Sequence, residues 1–238
     1  MTRDIFSLSG KVVVIASDVE NFAKEIASGV AEFGAKAVVI LPSGYGMDCA
    51  SVKDEAIEIV EADFQDDKSI VYALEHVCGR ACGIDVLVTR FGIERPCPLI
   101  HVTEVDLKTE FEAVWVPLRV AQLCRSSMIK KGGGVIVNVL PISASWPGGL
   151  GAARAMASAA GLVLSQSLAL AGAADLIRSV AISVAGGSGQ PNGMAKRNLI
   201  GRGPQMDEVV AAIVALASGA GGFTTATNLI LDGGELAL

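Results

Sequence analysis

Lys11-Val12-Val13-Val14-Ile15, a helical spacing of Phe22, Ile26, Val30 and Phe33, Gly34, and then Ala37-Val38-Val39-Ile40 form the stretch that decides the fold. The first run is short, continuous and apolar, as expected of a parallel strand buried on both faces. The four spaced apolar residues put one greasy side on a helix over about 19–33, and Gly34 sits where a helix C-terminus is followed by glycine. The second apolar run is the next strand. Strand, helix and strand together span about the ~30 residues of a βαβ unit.

The same alternation continues outward. Strands are expected at 56–60, 85–88, 134–139, 179–184 and 228–231, and helices at 67–77, 104–130, 151–174 and 206–218, with Pro117 able to kink the long one. Seven strands alternating with helices predict a single-domain, Rossmann-like α/β fold: a doubly wound parallel sheet with helices on both faces. The composition agrees, since 51% of residues are hydrophobic and the mean hydropathy is +0.52. The net charge is −6 and the basic residues are scattered, which argues against a nucleic-acid partner.

Residues 155–174 carry no formal charge, and about 20 apolar residues suffice to span a bilayer. Here the run is rich in Ala, Gly and Ser, contains Ser165-Gln166-Ser167 and lacks aromatic anchors, so a covered helix is expected instead. Met1 to Lys11 does not read as a signal peptide, and a cytoplasmic location is expected. The five cysteines, at 49, 78, 82, 97 and 124, lack paired C-x-x-C spacing. His76, Cys78 and Cys82 are read as a helix end with small apolar thiols rather than a metal site.

Several framework segments resemble the short-chain dehydrogenase/reductase family over nearly the whole chain. They are Leu8-Ser9-Gly10-Lys11-Val12-Val13-Val14-Ile15, Ala62-Asp63, Ile84-Asp85-Val86-Leu87-Val88, Gly134-Val135-Ile136-Val137-Asn138, Ser167-Leu168-Ala169 and the ending Asn228-Leu229-Ile230-Leu231-Asp232-Gly233-Gly234. The resemblance implies NAD(P) on a Thr-Gly-x-x-x-Gly-x-Gly turn and chemistry by an Asn, Ser, Tyr and Lys set. The functional positions depart from it. The turn carries Ser17, Asn21 and Ala23 in place of its glycines, with Asp18 and Glu20 where a pyrophosphate would meet the helix N-terminus. Asp18 is expected to cap that helix. Leu41 and Pro42 stand where a ribose or phosphate partner belongs, and Phe91 replaces the small residue of the family's Asn-Asn-Ala-Gly; Asp63 and Gly92 are retained. In the family's register the asparagine, serine, tyrosine and lysine positions fall on Trp115, Pro141, Arg154 and Ser158, with Ser143 and Ser145 beyond the serine position. Arginine cannot cycle a proton near neutral pH, and serine brings no charge to a partner.

The resemblance therefore implies a degenerate member, a pseudoenzyme with neither catalytic nor cofactor-binding residues of its own. Its expected role is the non-catalytic subunit of a heterotetramer whose other, intact subunit binds NAD, joined through the 104–130 and 151–174 helices. Two alternatives stand beside it. One is a lyase like the halohydrin dehalogenases, which lack the dinucleotide and carry an aromatic residue in the loop where this chain has Asn21-Phe22, although they keep Ser and Tyr-x-x-x-Arg. The other is a regulatory protein whose vacated cleft takes another ligand, with Arg90 and Arg154 drawing an anion or else making salt bridges or pointing to solvent. The Gly- and Ser-rich connection 186–193 reads as an ordinary loop.

Overall fold

The computed structural model describes residues 4–44, 55–81, 83–92, 97–145, 151–185 and 198–238. The 186–193 connection, Cys49 and Cys82 lie outside the described residues. Seven parallel strands form one sheet: β1 Val12–Ser17, β2 Lys36–Pro42, β3 Ile57–Ala62, β4 Val86–Arg90, β5 Gly134–Pro141, β6 Ile177–Val184 and β7 Asn228–Leu231. Their order is β3-β2-β1-β4-β5-β6-β7. Among the described residues five α-helices connect them: α1 Glu20–Glu32, α2 Asp67–Ala81, α3 Glu104–Lys130, α4 Ala152–Gly172 and α5 Met206–Ala217. The expected α/β fold is the observed one, with elements where the hydrophobic pattern puts them and ends that differ by a few residues.

Strand alternation builds two cores. Val13 and Ile15 of β1 point into a cluster with Phe22, Ile26 and Val30 of α1 and Ile213 and Val214 of α5. Val12, Val14 and Ala16 point the other way, into a cluster with Ile70 and Leu74 of α2 and Val120, Cys124 and Met128 of α3. A strand that serves both clusters must be apolar at every position, which is why β1 reads as an unbroken run. Each fully buried side chain such as Ile15 or Leu87 contributes about 1.5–3 kcal/mol. Burial also pushes the Cys124 thiol up, which keeps it unreactive.

The strand order reverses between β1 and β4, whose C-terminal ends therefore open a crevice. α3 crosses above it. Its start is fixed by a capping box, in which Thr103 Oγ1 accepts from Asp106 N and Asp106 Oδ2 accepts from Thr103 N. The helix runs through the buried Pro117 to Lys130 without interruption.

α4 is long and apolar enough to cross a membrane by length and composition. One side of it, however, is buried against neighbouring elements: Ala153, Arg154, Ala157, Ser158, Gly161, Ser165 and Gly172. Ser165 and Ser179 of β6 share a hydrogen bond of 3.1 Å. The helix is not covered all round, since Met156, Val163 and Leu170 are 44%, 60% and 81% exposed. Gly172 lets the end of α4 approach β6, because a Cβ there would lie 2.8 Å from the Ile177 carbonyl oxygen. Gly172→Val is expected to cost about 1–3 kcal/mol through this overlap. Urea unfolding measures it, and an unchanged midpoint would contradict the close approach.

Candidate functional site

Arg154 occupies the centre of the crevice. It sits on the first turn of α4 with only 3% of its surface exposed. Its Nη1 donates to Glu110 Oε2 at 3.0 Å and its Nη2 to the Gly92 carbonyl at 2.9 Å. Glu110 comes from α3 and is itself buried. Gly92 follows β4 with φ +99°, and a Cβ there would overlap the guanidinium. Glycine at 92 is thus required twice, for the backbone angle and for the space. Arg154 Nε is buried without a hydrogen-bond partner among the described residues.

The turn after β1 joins the same group. Gly92 N–H donates to Asp18 Oδ2 at 2.7 Å. This corrects the expected cap: α1 begins after Val19 with no side-chain cap, and Asp18 reaches across to the β4 end instead. Ser17 Oγ accepts from Val19 N at 3.0 Å and holds the turn. Burial keeps the Asp18 carboxyl above its ordinary 3.8, against the pull of the Gly92 N–H and of Arg90. Glu20 pairs with Lys24 at 2.7 Å, Asn21 is exposed, and Ala23 is buried in the core. Arg90 lies over the Phe22 ring, 5.3 Å from its centroid. Arg154 is therefore tied up in a salt bridge with Glu110, and Arg90 is engaged with the Phe22 ring.

The remaining positions divide between the crevice and the core. Phe91 is nearly buried and meets Phe64 edge-on at 4.8 Å. Leu41 is fully buried, and Pro42 ends β2 at the cavity wall. Asp63 Oδ1 accepts from Gln65 N at 2.9 Å, a local turn bond. Ser158 is buried and lies 3.3 Å from Ser143 Oγ, so Ser143, set beyond the serine position by the register, still reaches the lysine position. Pro141 closes β5, and Trp115 stands 57% exposed at the cavity rim. Below them Thr89 Oγ1 donates to Asn138 Oδ1 at 2.7 Å. His76 Nε2 lies 3.1 Å from Glu58 Oε1. Among the described residues no group of His, Cys, Asp and Glu is arranged to hold a metal.

What remains open is a cavity of about 480 Å³ beside the Arg154–Glu110 pair. Pro42, Asp63, Phe64, Phe91, Trp115 and Val116 are among its lining residues. Glu110 is the site residue the sequence reading missed. The available signal was the buried register of Arg154, because an arginine inside a fold requires a carboxylate and α3 supplies acidic residues alongside α4.

Residues 16–235 match the family model described as Enoyl-(Acyl carrier protein) reductase, and the chain belongs to this family of short-chain dehydrogenase/reductase oxidoreductases. It is 25% identical to the gluconate 5-dehydrogenase of Gluconobacter oxydans (strain 621H), over 97% of this chain and 96% of that one. It is 28% identical to the cis-4-hydroxycyclohexanecarboxylate dehydrogenase of Sinomonas cyclohexanicum, over 96% and 97%. Among solved structures, a gluconate 5-dehydrogenase from Burkholderia cenocepacia J2315 in complex with NADP and tartrate superimposes with a TM-score of 0.90 at 24% identity, covering 99% of this chain and 98% of that one.

Two expectations follow from the geometry. Arg154→Leu or Glu110→Leu alone costs about 3–5 kcal/mol, because each strands a buried charge, while the double Leu variant costs less than either. Urea unfolding of the three variants checks this, and simple additivity would mean the pair is not coupled. For Asp18, the fold favours the protonated form. The contribution of Asp18 to stability therefore falls as pH rises through 3.8 and the window above it, and Asp18→Asn removes that loss. Unfolding midpoints at about pH 4 and about pH 7 should show the variant gaining on the wild type at the higher pH.

Proposed function

We propose that this chain is the non-catalytic subunit of a hetero-oligomeric, NAD-dependent short-chain dehydrogenase. The observation that carries the proposal is the buried guanidinium of Arg154, bound to Glu110 and Gly92 where the family register has its tyrosine. A guanidinium does not cycle a proton near neutral pH and so does not serve as the acid/base of hydride transfer. Ser158, buried against Ser143, supplies no ammonium to assist it.

The residues do not fit a dinucleotide. The turn after β1 has side chains where the family has glycines, Asp18 occupies the Gly92 N–H, and the carboxylates of Asp18, Asp63, Glu110 and Glu112 line the cleft a pyrophosphate would have to enter. No step is therefore assigned to a cofactor in this chain. NAD and the Tyr-x-x-x-Lys pair belong to a partner subunit, and the assembly is a heterotetramer. The apolar stripe Met156, Val163 and Leu170, repeating every seventh residue on the outer side of α4, supports that contact.

The family membership and the names of the relatives support alcohol oxidation as the reaction of the complex. The finer reading rests on the resemblance of this degenerate pattern to the inactive subunit of 2-[hydroxy(phenyl)methyl]succinyl-CoA dehydrogenase. The substrate is then the secondary benzylic alcohol of that CoA thioester, in anaerobic toluene degradation.

The test is purification of the tagged chain from its native source. The companion should carry Tyr-x-x-x-Lys, and the complex should reduce NAD with 2-[hydroxy(phenyl)methyl]succinyl-CoA while the isolated chain does not. Arg154→Tyr with Ser158→Lys should leave the isolated chain inactive, since the cofactor turn is unchanged. Turnover by that variant would overturn the reading. Val163→Glu should weaken assembly about tenfold or more, seen by light scattering on a sizing column. Leu164 is a poorer probe, because it lines the small space against Phe91 and Pro117.

A further inference from the structure

The sign of charge in the open cavity is opposite to what the arginines at its edge suggest. Arg154 is spent on Glu110 and the Gly92 carbonyl, and Arg90 lies over Phe22. Among the described residues the lining contains no Lys or Arg, and it contains four carboxylates, Asp18, Asp63, Glu110 and Glu112. Three aromatic side chains, Phe64, Phe91 and Trp115, contribute to the same wall. The volume, about 480 Å³, lies in the range of small-molecule sites.

These features select one class of ligand. An anion would meet the exposed carboxylates of Asp63 and Glu112. A neutral apolar molecule would use the rings and gain nothing from those two acids. A cation with an apolar body satisfies both parts, since aromatic rings attract cations and carboxylates neutralise them. Glu112 and Asp63 are exposed and placed to meet such a charge at the mouth, whereas Asp18 and Glu110 are already held by Gly92 N–H and Arg154.

We propose that the cavity bounded by Phe64, Phe91, Trp115, Asp63 and Glu112 binds a small organic ammonium ion, its apolar body against the rings and its charge toward the two exposed carboxylates. The proposal rests on the reading that this cleft does not take a dinucleotide, and it assigns the cleft a ligand of opposite charge.

The experiment uses the isolated full-length chain with Trp146→Phe, which leaves Trp115 as the fluorescent reporter. Benzyltrimethylammonium, benzyl alcohol and benzoate are titrated separately at low and at high salt. The ammonium should bind at least tenfold more tightly than the alcohol, benzoate should not bind, and added salt should weaken the ammonium because exposed carboxylates are screened. Glu112→Gln should lower ammonium affinity about fivefold and Trp115→Ala about tenfold, measured for the latter by calorimetry. Both side chains are exposed, so thermal unfolding should be unchanged. Equal binding of benzoate or benzyl alcohol, or affinity indifferent to both substitutions, overturns the proposal. A parallel titration with NAD and NADP keeps the two readings apart. Dinucleotide binding overturns the closed-cleft reading, and absence of binding together with no preference for the ammonium overturns only the cation site.

Discussion

A guanidinium with almost none of its surface exposed is the constraint on which the upper half of this molecule depends. Taking such a charge out of water carries an idealised cost of about 20 kcal/mol, and even after relaxation several remain. Arg154 can be buried only if a carboxylate and a carbonyl are delivered to it. Glu110 must then face α4 from α3, and the chain leaving β4 must turn at a residue without a side chain. One charge thereby fixes the mutual position of β4, α3 and α4, the three elements that border the crevice.

The requirement spreads to the turn after β1. Once Gly92 is placed, its N–H needs an acceptor, and Asp18 supplies it from the neighbouring strand end. The backbone groups at the switch point are thus satisfied from within the protein. In a dinucleotide site the same region leaves amide groups and space for an anion. Here the amide is taken, the space above Gly92 holds the guanidinium, and carboxylates ring the opening. The acidity of the cleft and the closure of the catalytic corner are two consequences of one arrangement.

The fold was legible because its signals are local. Unbroken apolar runs at β1 and β2 and the 3.6-residue spacing of α1 each follow from which faces are buried, and alternation alone then dictates a parallel sheet. α4 was legible for the same reason, since it is one continuous helix. The Arg154–Glu110 pair was not, because its members lie 44 residues apart and α3 offers several acids with no local mark of which faces inward. Asp18 was misread for the opposite reason. A local rule favours acids as helix caps, and a tertiary donor, Gly92 N–H, outcompeted it. The uncharged run of α4 reads as a covered helix, but small and apolar residues are equally at home in a core and on an outer face. Only the structure separates the buried Ser165 and Gly161 from the exposed Val163 and Leu170.

That separation bears on how one helix can serve the crevice and an outer face at once. One hydrophobic cluster, with Ile15 and Ile182, lies on the α1 and α5 side of the sheet, and the other reaches the crevice through Phe91 and Val116, which pack with Leu87 and also line the cavity. α4 joins the crevice to the outer face. Its first inward turn carries the arginine that fills the catalytic corner, and its outward stripe runs the rest of its length without touching that corner. Residues on opposite sides of one helix are free to change independently so long as the backbone between them holds. The buried Arg154 and the apolar outer face are therefore compatible properties of the same element.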